Sequence, residues 1–318
     1  MWLDVLDRQK LVEFAYQKGK ELTLNNKNYL SWLESFFDKE YADDIGAGDI
    51  TSEAVLAKNK PRKAFLKAKQ SGVIGGIEEV RWFLRKHRLD VKVCIKDGEE
   101  ALQEETILEV QGGQKDILAT ERISLNILQR MSGVATETKR LTDLLKGYNT
   151  RIAATRKTPL RYLDKKAVFL GGGLTHRFGL WDSILIKDNH LEILKSEGVK
   201  NYIETALVKA SAFADKVGFI EIETTSREEA VRAARKFKAL RLKKPCIIML
   251  DNFMPTAIEG TIETLREDAL YESVLLEASG EITPQNIREY AGTGIDVVSL
   301  GYLTHSARVL DMSLEMTL

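Results

Sequence analysis

From residue 150 onward the chain alternates short, almost wholly apolar runs with helical segments, and each run stops at a polar, charged or glycine residue. "RIAAT" is followed by Arg156-Lys157-Thr158, "SILI" by Lys187-Asp188-Asn189-His190, and "FIEI" by Glu223. "IIML" gives Asp251-Asn252, "VLLEA" gives Ser279-Gly280, and "DVVSL" gives Gly301. Apolar runs of this kind suit parallel strands that helices cover on both faces. In α/β barrels the site is built at the C-terminal mouth, from residues just beyond the strand ends. One polar ending is ordinary loop composition; six in succession predict a barrel mouth.

The first half has a different texture. Residues 1–45 read as helices, with Tyr29, Leu30, Leu33, Phe36 and Phe37 at helical spacing, and "GAGDITS" (46–52) reads as a turn. From 62 to 111 the short runs "RKAFLKAKQ", "VKVCIK" and "TILEVQ" surround a helical "EEVRWFLRKH", which predicts a small α/β layer. Residues 116–145 read as a long helical stretch interrupted near Ser132-Gly133.

Bulk properties remove several classes of function. Lys plus Arg equals Asp plus Glu at 47 each, so the basic excess typical of a nucleic-acid binder is missing. The two cysteines, Cys94 and Cys246, both lie in apolar runs and read as buried, reduced core residues. The N-terminus carries acids where a signal peptide needs an apolar core, and no apolar stretch approaches the roughly 18 residues of a membrane span. The expectation is a soluble, cytoplasmic protein without membrane or nucleic-acid partners.

Sorted by sign, the strand ends form two groups. Arg156, Lys157, His176, Arg177 and Lys187 are cationic; Glu223 and Asp251 are carboxylates, and glycines follow at 280 and 301. Arg offers bidentate geometry to carboxylates and phosphates, so the first group suits an anionic substrate. Two carboxylates at neighbouring strand ends suit Mg²⁺ or sugar hydroxyls. Glycines after the last strands suit phosphate held by backbone N–H groups. Each feature also has a plain structural reading. Arg156-Lys157 could be solvated loop charges, His176 or His190 hydrogen-bonded structural histidines, and Glu223 and Asp251 helix N-caps. His87 in "RKHR" reads as a surface residue.

Other chemistries fit less well. Gly171-Gly172-Gly173 does not open G-x-G-x-x-G, because position 176 is His, and no G-x-x-x-x-G-K-[ST] occurs. The histidines lack H-E-x-x-H spacing and have no nearby Cys, and no G-x-S-x-G elbow occurs. "GGGLTHRFGLWDSILIKDNH" (171–190) is best read as an anion clamp.

"GDITSEAVL", "ERISLNILQRMSGVAT", "ATRKT", "KKAVFLGGGLTHRFGLWDSILIKDNH", "IEIE", "IMLDNF", "LLEASGEIT" and "IDVVSLGYLTHSARVLDMSL" occur in that order. In this the chain resembles the quinolinate phosphoribosyltransferases from about residue 46 to the C-terminus. The resemblance implies an N-terminal α/β sandwich domain (1–131, with 308–318 returning to it) and an incomplete α/β barrel (132–307), the type II phosphoribosyltransferase architecture. It implies transfer of phosphoribose from phosphoribosyl pyrophosphate to quinolinate with loss of CO₂, giving nicotinate mononucleotide for NAD biosynthesis. It also implies a homodimer or larger assembly with the site at the subunit interface, where Arg122 would reach the neighbouring site. Arg156, His176, Arg177 and Lys187 would hold the quinolinate carboxylates, with Lys157 between the two substrates. Glu223 and Asp251 would engage the donor ribose and Mg²⁺, while Ser279, Gly280 and Gly301 would hold its 5′-phosphate.

The chain leaves the family pattern in three places. "RKTPLRYL" is short at Thr158-Pro159-Leu160, which opens the alternative of a related transferase acting on another aromatic acid, such as the molybdenum-locus paralogues. Glu281 stands where a second glycine is usual, and its carboxylate would have to point away from the 5′-phosphate; this motivates the alternative of a non-catalytic binding member. Glu223 and Asp251 are further apart than usual, through "KFKALRLKK" (236–244), where a longer solvent-facing helix is expected.

Overall fold

The computed structural model describes residues 7–317, which form two compact units of interleaved sequence. One unit combines the described residues up to Gln17 with Leu141–Pro159 and Gly173–His305; the other combines Lys18–Arg140, Leu160–Gly172 and the chain from Ser306 onward. Relative to a division at 131/132, the described residues up to Gln17, residues 132–140 and Leu160–Gly172 change sides. The first helix joins the parallel-sheet unit, and Leu160–Gly172 joins the antiparallel one. No helix among the described residues is long and apolar enough to cross a membrane.

In chain order the strands are β1 (Pro61–Ala68), β2 (Gly72–Val73), β3 (Asp90–Val93), β4 (Glu100–Ala101), β5 (Thr106–Gly113), β6 (Arg151–Ala154), β7 (Ile184–Ile186), β8 (Ile220–Thr224), β9 (Cys246–Asp251), β10 (Leu275–Ser279), β11 (Val297–Leu300) and β12 (Met312–Thr317). The antiparallel unit has the order β12-β1-β5-β3, so the last strand of the chain pairs with the first. Ala64, Leu66 and Ala68 alternate inward from β1. Helices Lys27–Ile45 and Ile77–Lys86 meet through Phe37, whose ring stacks on Phe83 at 4.6 Å.

Several local expectations change here. Helix Gln114–Leu144 runs 31 residues without a break at Ser132-Gly133. A Cβ on Gly133 would stand 2.0 Å from the Arg308 carbonyl oxygen, so this glycine permits close approach of the C-terminal segment rather than interrupting the helix. "GAGDITS" is only partly turn, because Asp49 caps a helix Ile50–Val55 by accepting from the Ser52 N–H at 3.0 Å. Cys94 is free but exposed: the alternation after β3 puts it on the outward face with Lys92. Cys246 is free and buried. His87 is half-buried, its ring against Tyr41 (4.1 Å) and Phe83 (4.8 Å). The helix over "KFKALRLKK" ends at Leu240, where Arg241 takes a left-handed φ of 49°.

The same unit buries an ion cluster. Lys166 Nζ contacts Glu78 and lies 2.5 Å from Glu79 Oε1, which also accepts from the Tyr29 hydroxyl at 2.7 Å. Burial raises the Glu79 pKa, and Lys166 opposes that shift. Neutralising one member of such a cluster leaves the rest uncompensated.

The other unit is a parallel sheet in the order β6-β11-β10-β9-β8-β7. The first strand pairs with the last, and every neighbour is sequential except across β6 and β7. There the chain sends helix Arg161–Leu170 to the other unit, and on return Leu174 makes a single parallel bridge to Ala153. The result is a barrel with one unpaired seam, as the sequence resemblance implied. Helix Arg8–Tyr16 packs at the N-terminal end of the strands, its Val12, Ala15 and Tyr16 against Ala153, Leu174, Phe219, Ile247, Leu275 and Val297. Arg8 anchors it through a bidentate pair with Asp296 at 2.5 and 2.6 Å.

Replacing Lys166 by Met is expected to destabilise the protein by about 3–5 kcal/mol, the usual cost of breaking a buried pair. Thermal and denaturant unfolding check this; an unchanged midpoint would show that the cluster contributes nothing net.

Candidate functional site

A cavity of about 920 Å³ opens at the C-terminal ends of the parallel strands, and all of its lining residues belong to that unit. The strand ends named from sequence meet there: Arg156, Lys157, His176, Arg177, Lys187, Glu223, Asp251, Ser279, Gly280 and Gly301 all line it. Arg122 does not; it is exposed on helix Gln114–Leu144.

The barrel seam sorts the charges. Arg156 and Lys157 follow β6, His176 and Arg177 follow the Leu174 bridge, and Lys187 follows β7, so the cations surround the seam. Glu223, Asp251 and Glu277 come from β8, β9 and β10, further around the sheet. Burial and the nearby Arg156 lower the Arg177 pKa. The Arg177 Nη1 donates to the Ser183 carbonyl at 3.1 Å. Among the described residues, neither Arg156, Lys157 nor Arg177 has a carboxylate within ion-pair distance. Glu221 and Asp182 act on Arg177 in the opposite sense to Arg156, and guanidinium groups offer bidentate geometry to a carboxylate or phosphate.

His176 is held differently. It is buried with a left-handed φ of 53°, and its backbone N–H donates to the Tyr16 carbonyl at 2.9 Å. Its Nε2 lies 3.3 Å from both Glu221 and Glu277, while its Nδ1 accepts the Arg177 N–H at 2.7 Å. Tyr16 and Phe219 meet the ring edge-on at 5.2 and 5.4 Å. Burial disfavours the imidazolium, but Glu277 and Glu221 outweigh it and raise the pKa to about 9. The Arg177 N–H works against a second ring proton. His176 therefore lines the cavity with both ring nitrogens already engaged.

Glu221 and Glu277 are the residues that strand-end reasoning missed. They sit within the apolar runs "FIEI" and "VLLEA", two residues before Glu223 and Ser279, and so point to the same side of their strands. A fully buried carboxylate in an otherwise apolar strand was the available signal.

On the carboxylate side, Glu223 Oε2 accepts from Lys187 Nζ at 3.2 Å. Burial, then Asp251, raise the Glu223 pKa against Lys187. Burial likewise raises Asp251, with Lys187 and Lys157 opposing. His190 does not line the cavity; its Nδ1 accepts the Lys187 N–H at 2.9 Å and caps helix Asp188–Ser196. After β6, Thr155 and Thr158 tie the short loop to itself, and Thr304 Oγ1 donates to the Lys157 carbonyl at 2.8 Å. A Cβ on Gly301 would stand 3.0 Å from Lys157 Cδ, so that glycine admits the lysine.

The loop after β10 is conformationally unusual. Gly280 has φ 90° and Glu281 φ 46°, and Asn252 opposite has φ 58°. Asn252 N–H donates to the Ser279 carbonyl at 2.8 Å, and a Cβ on Gly280 would fall 2.1 Å from Asn252 Oδ1. Glu281 occupies a backbone region that glycine takes without cost, and it lines the cavity.

With this geometry in place, comparison with known proteins decides the family. The family model "Quinolinate phosphoribosyl transferase, C-terminal domain" matches residues 134–315, and the corresponding N-terminal domain matches 49–132. The chain belongs to the quinolinate phosphoribosyl transferase family. Among relatives, a probable nicotinate-nucleotide pyrophosphorylase [carboxylating] of Methanocaldococcus jannaschii is 39% identical over 279 residues, covering 86% of this chain and 93% of the relative. Its namesake in Methanothermobacter thermautotrophicus is 37% identical, over 86% and 95% respectively. Among solved structures, NadC from Streptococcus pyogenes superposes with TM-score 0.79 at 31% identity, covering 90% of this chain and 97% of that one. The nicotinate-nucleotide pyrophosphorylase of Francisella tularensis gives 0.76 at 32%, covering 90% and 96%. Family membership covers both units, so the fold read from the residues and the fold of these relatives agree.

The backbone of the Gly280-Glu281 turn yields paired expectations. Glu281→Gly relieves a left-handed penalty of roughly 1–2 kcal/mol and adds glycine's entropic cost of roughly 0.5–1 kcal/mol, so the unfolding midpoint holds or rises. Gly280→Ala is expected to lower it. Calorimetry on both variants checks the opposite signs.

Proposed function

We propose that this chain transfers phosphoribose from phosphoribosyl pyrophosphate to quinolinate, with release of pyrophosphate and CO₂ and formation of nicotinate mononucleotide. The observation that carries the reading is the group of cations around the barrel seam. Arg156 and Arg177 crowd each other without a carboxylate partner among the described residues, as a dicarboxylate site requires. Lys187 completes the clamp from the β7 side. The sequence of the family and the names of its members support the choice of acid.

The chemistry follows from the separation of charge. The pyridine nitrogen attacks C1 of the ribose as pyrophosphate leaves, and positive charge develops on the sugar. Glu223 and Asp251, which meet the clamp at the Lys187–Glu223 pair, would face that charge, while Lys157, lining the same cavity, would lie between the leaving pyrophosphate and the acid. Clamping the acid by its carboxylates orients the ring nitrogen, and orientation is a large part of the acceleration available to such a reaction. Once alkylated, the ring nitrogen is cationic and accepts the electron pair left by the departing CO₂. The turn at Ser279-Gly280 and Gly301 offers small residues and backbone for the 5′-phosphate.

Mg²⁺ fits the carboxylate side. Glu223 and Asp251 line one cavity from adjacent strands, and both have raised pKa values, so a divalent cation arriving with the donor phosphates would relieve both. It would supply charge neutralisation for the leaving pyrophosphate. We further infer a homodimer or larger assembly in which Arg122, exposed and outside the cavity of its own chain, serves a neighbouring subunit's site.

The decisive assay is CO₂ release with quinolinate, phosphoribosyl pyrophosphate and Mg²⁺ together; none from an intact preparation overturns the reading. Chelation is expected to stop turnover, and Mg²⁺ to restore it. Arg177→Ala and Lys187→Ala are expected to raise the KM for quinolinate about 10- to 100-fold, as loss of a charged hydrogen bond worth ~1.5–3 kcal/mol implies. Steady-state kinetics check this, and wild-type constants in both variants would refute the clamp.

A further inference from the structure

Glu221 and Glu277 are fully buried on β8 and β10, where a barrel interior could be filled by Val or Ile. Their strand neighbours Ile220, Ile222, Leu276 and Ala278 are equally buried and apolar. Two carboxylates without water are costly to retain unless a donor or a cation meets them. Among the described residues, the basic group within ion-pair distance of both is His176, whose Nε2 lies 3.3 Å from each while its Nδ1 accepts from Arg177. Tyr16 Oη and Ser299 Oγ, both buried, also lack a close hydrogen-bond partner and belong to the same chamber, where they act on Glu277.

The ring is thus fixed from every direction. Carboxylates face Nε2, the Arg177 N–H faces Nδ1, and two aromatic edges close on the ring. The bond to Nδ1 matters most, because it comes from the backbone of the very residue whose guanidinium enters the cavity. His176 itself has a backbone conformation that L residues rarely adopt, so something must hold it there.

We propose that Glu221 and Glu277 are positioning residues, which lock the His176 ring and through its Nδ1 fix the backbone of Arg177, so that the acid clamp is assembled before its ligand arrives. The proposal rests on the reading that the carboxylates of quinolinate occupy the clamp. The two carboxylates share Nε2 at equal distance, so each supplies part of the restraint on the ring and loss of either loosens it. A glutamine in either place keeps the size and one acceptor but brings an amide N–H that competes for the ring orientation.

The test uses the full chain with Glu221→Gln, Glu277→Gln and the double variant, assayed for both substrates and for unfolding midpoint. Each single variant is expected to raise the KM for quinolinate about threefold, and the double variant tenfold or more. The KM for phosphoribosyl pyrophosphate should stay within twofold throughout. A merely structural role would lower the midpoint and move both constants together, and that result overturns the proposal. So does a wild-type KM for quinolinate in the double variant or, if the double variant does not fold, in the singles. Failure of the underlying reading has a separate signature: the wild-type enzyme would show no saturation by quinolinate.

Discussion

The parallel sheet depends on a pairing it does not make. Its first strand ladders with its last, and β6 and β7 are left to be joined by a single bridge at Leu174. A regular βαβ crossover would have pressed those two strands together. Here the intervening helix Arg161–Leu170 belongs to the other unit, so the seam is closed by irregular chain instead. Backbone exposed by a missing ladder must find partners. The Leu174 N–H donates to the Ile152 carbonyl at 2.7 Å, its carbonyl accepts from Ala154 at 2.9 Å, and Thr175 and His176 both reach the Tyr16 carbonyl. The first helix of the chain is therefore part of the site's foundation, because its last carbonyl holds the residues that start the clamp.

That closure explains why the cations collect where they do. In a closed barrel the ends of β6 and β7 would alternate with their neighbours around a full ring. The seam instead brings Arg156, Arg177 and Lys187 to one side of the mouth and leaves the carboxylates of β8, β9 and β10 on the other. The two groups touch where Lys187 pairs with Glu223 and where His176 meets Glu221 and Glu277, while Arg156 and Arg177 stay on the cationic side. Such separation serves a reaction that binds an anion at one end and develops positive charge at the other.

The parts legible in the sequence were those with a local signature. Parallel strands buried on both faces leave continuous apolar runs, and Arg156, Lys187, Glu223, Asp251, Ser279 and Gly301 announce themselves by ending them. What lay inside the runs was hidden. Glu221 reads as an ordinary interruption of "FIEI" until the barrel folds it toward Glu277, 56 residues away in sequence, and His176 between them. Gly133 read as a helix break because its purpose lies with Arg308, which no periodicity reveals. Cys94 read as core because an apolar run was taken without its alternation. The fate of residues up to Gln17 was equally non-local, since a helix does not state in its sequence which sheet it will cover.

The cavity is not simply a positive hole. Its lining carries carboxylates as well as cations, and Glu221 stands just behind His176. A cluster of cations without these counter-charges would repel itself apart, or would bind any anion in solution too readily to exchange it. The arrangement divides the labour by pairing. Glu221 and Glu277 engage His176 in the interior, whereas exposed Arg156 and Lys157 and buried Arg177 have no carboxylate within pairing distance among the described residues. Burial also strengthens the inner pairing, because the same charges interact more strongly away from water. The inner cluster meets the Arg177 backbone at His176 Nδ1 without pairing the Arg177 guanidinium.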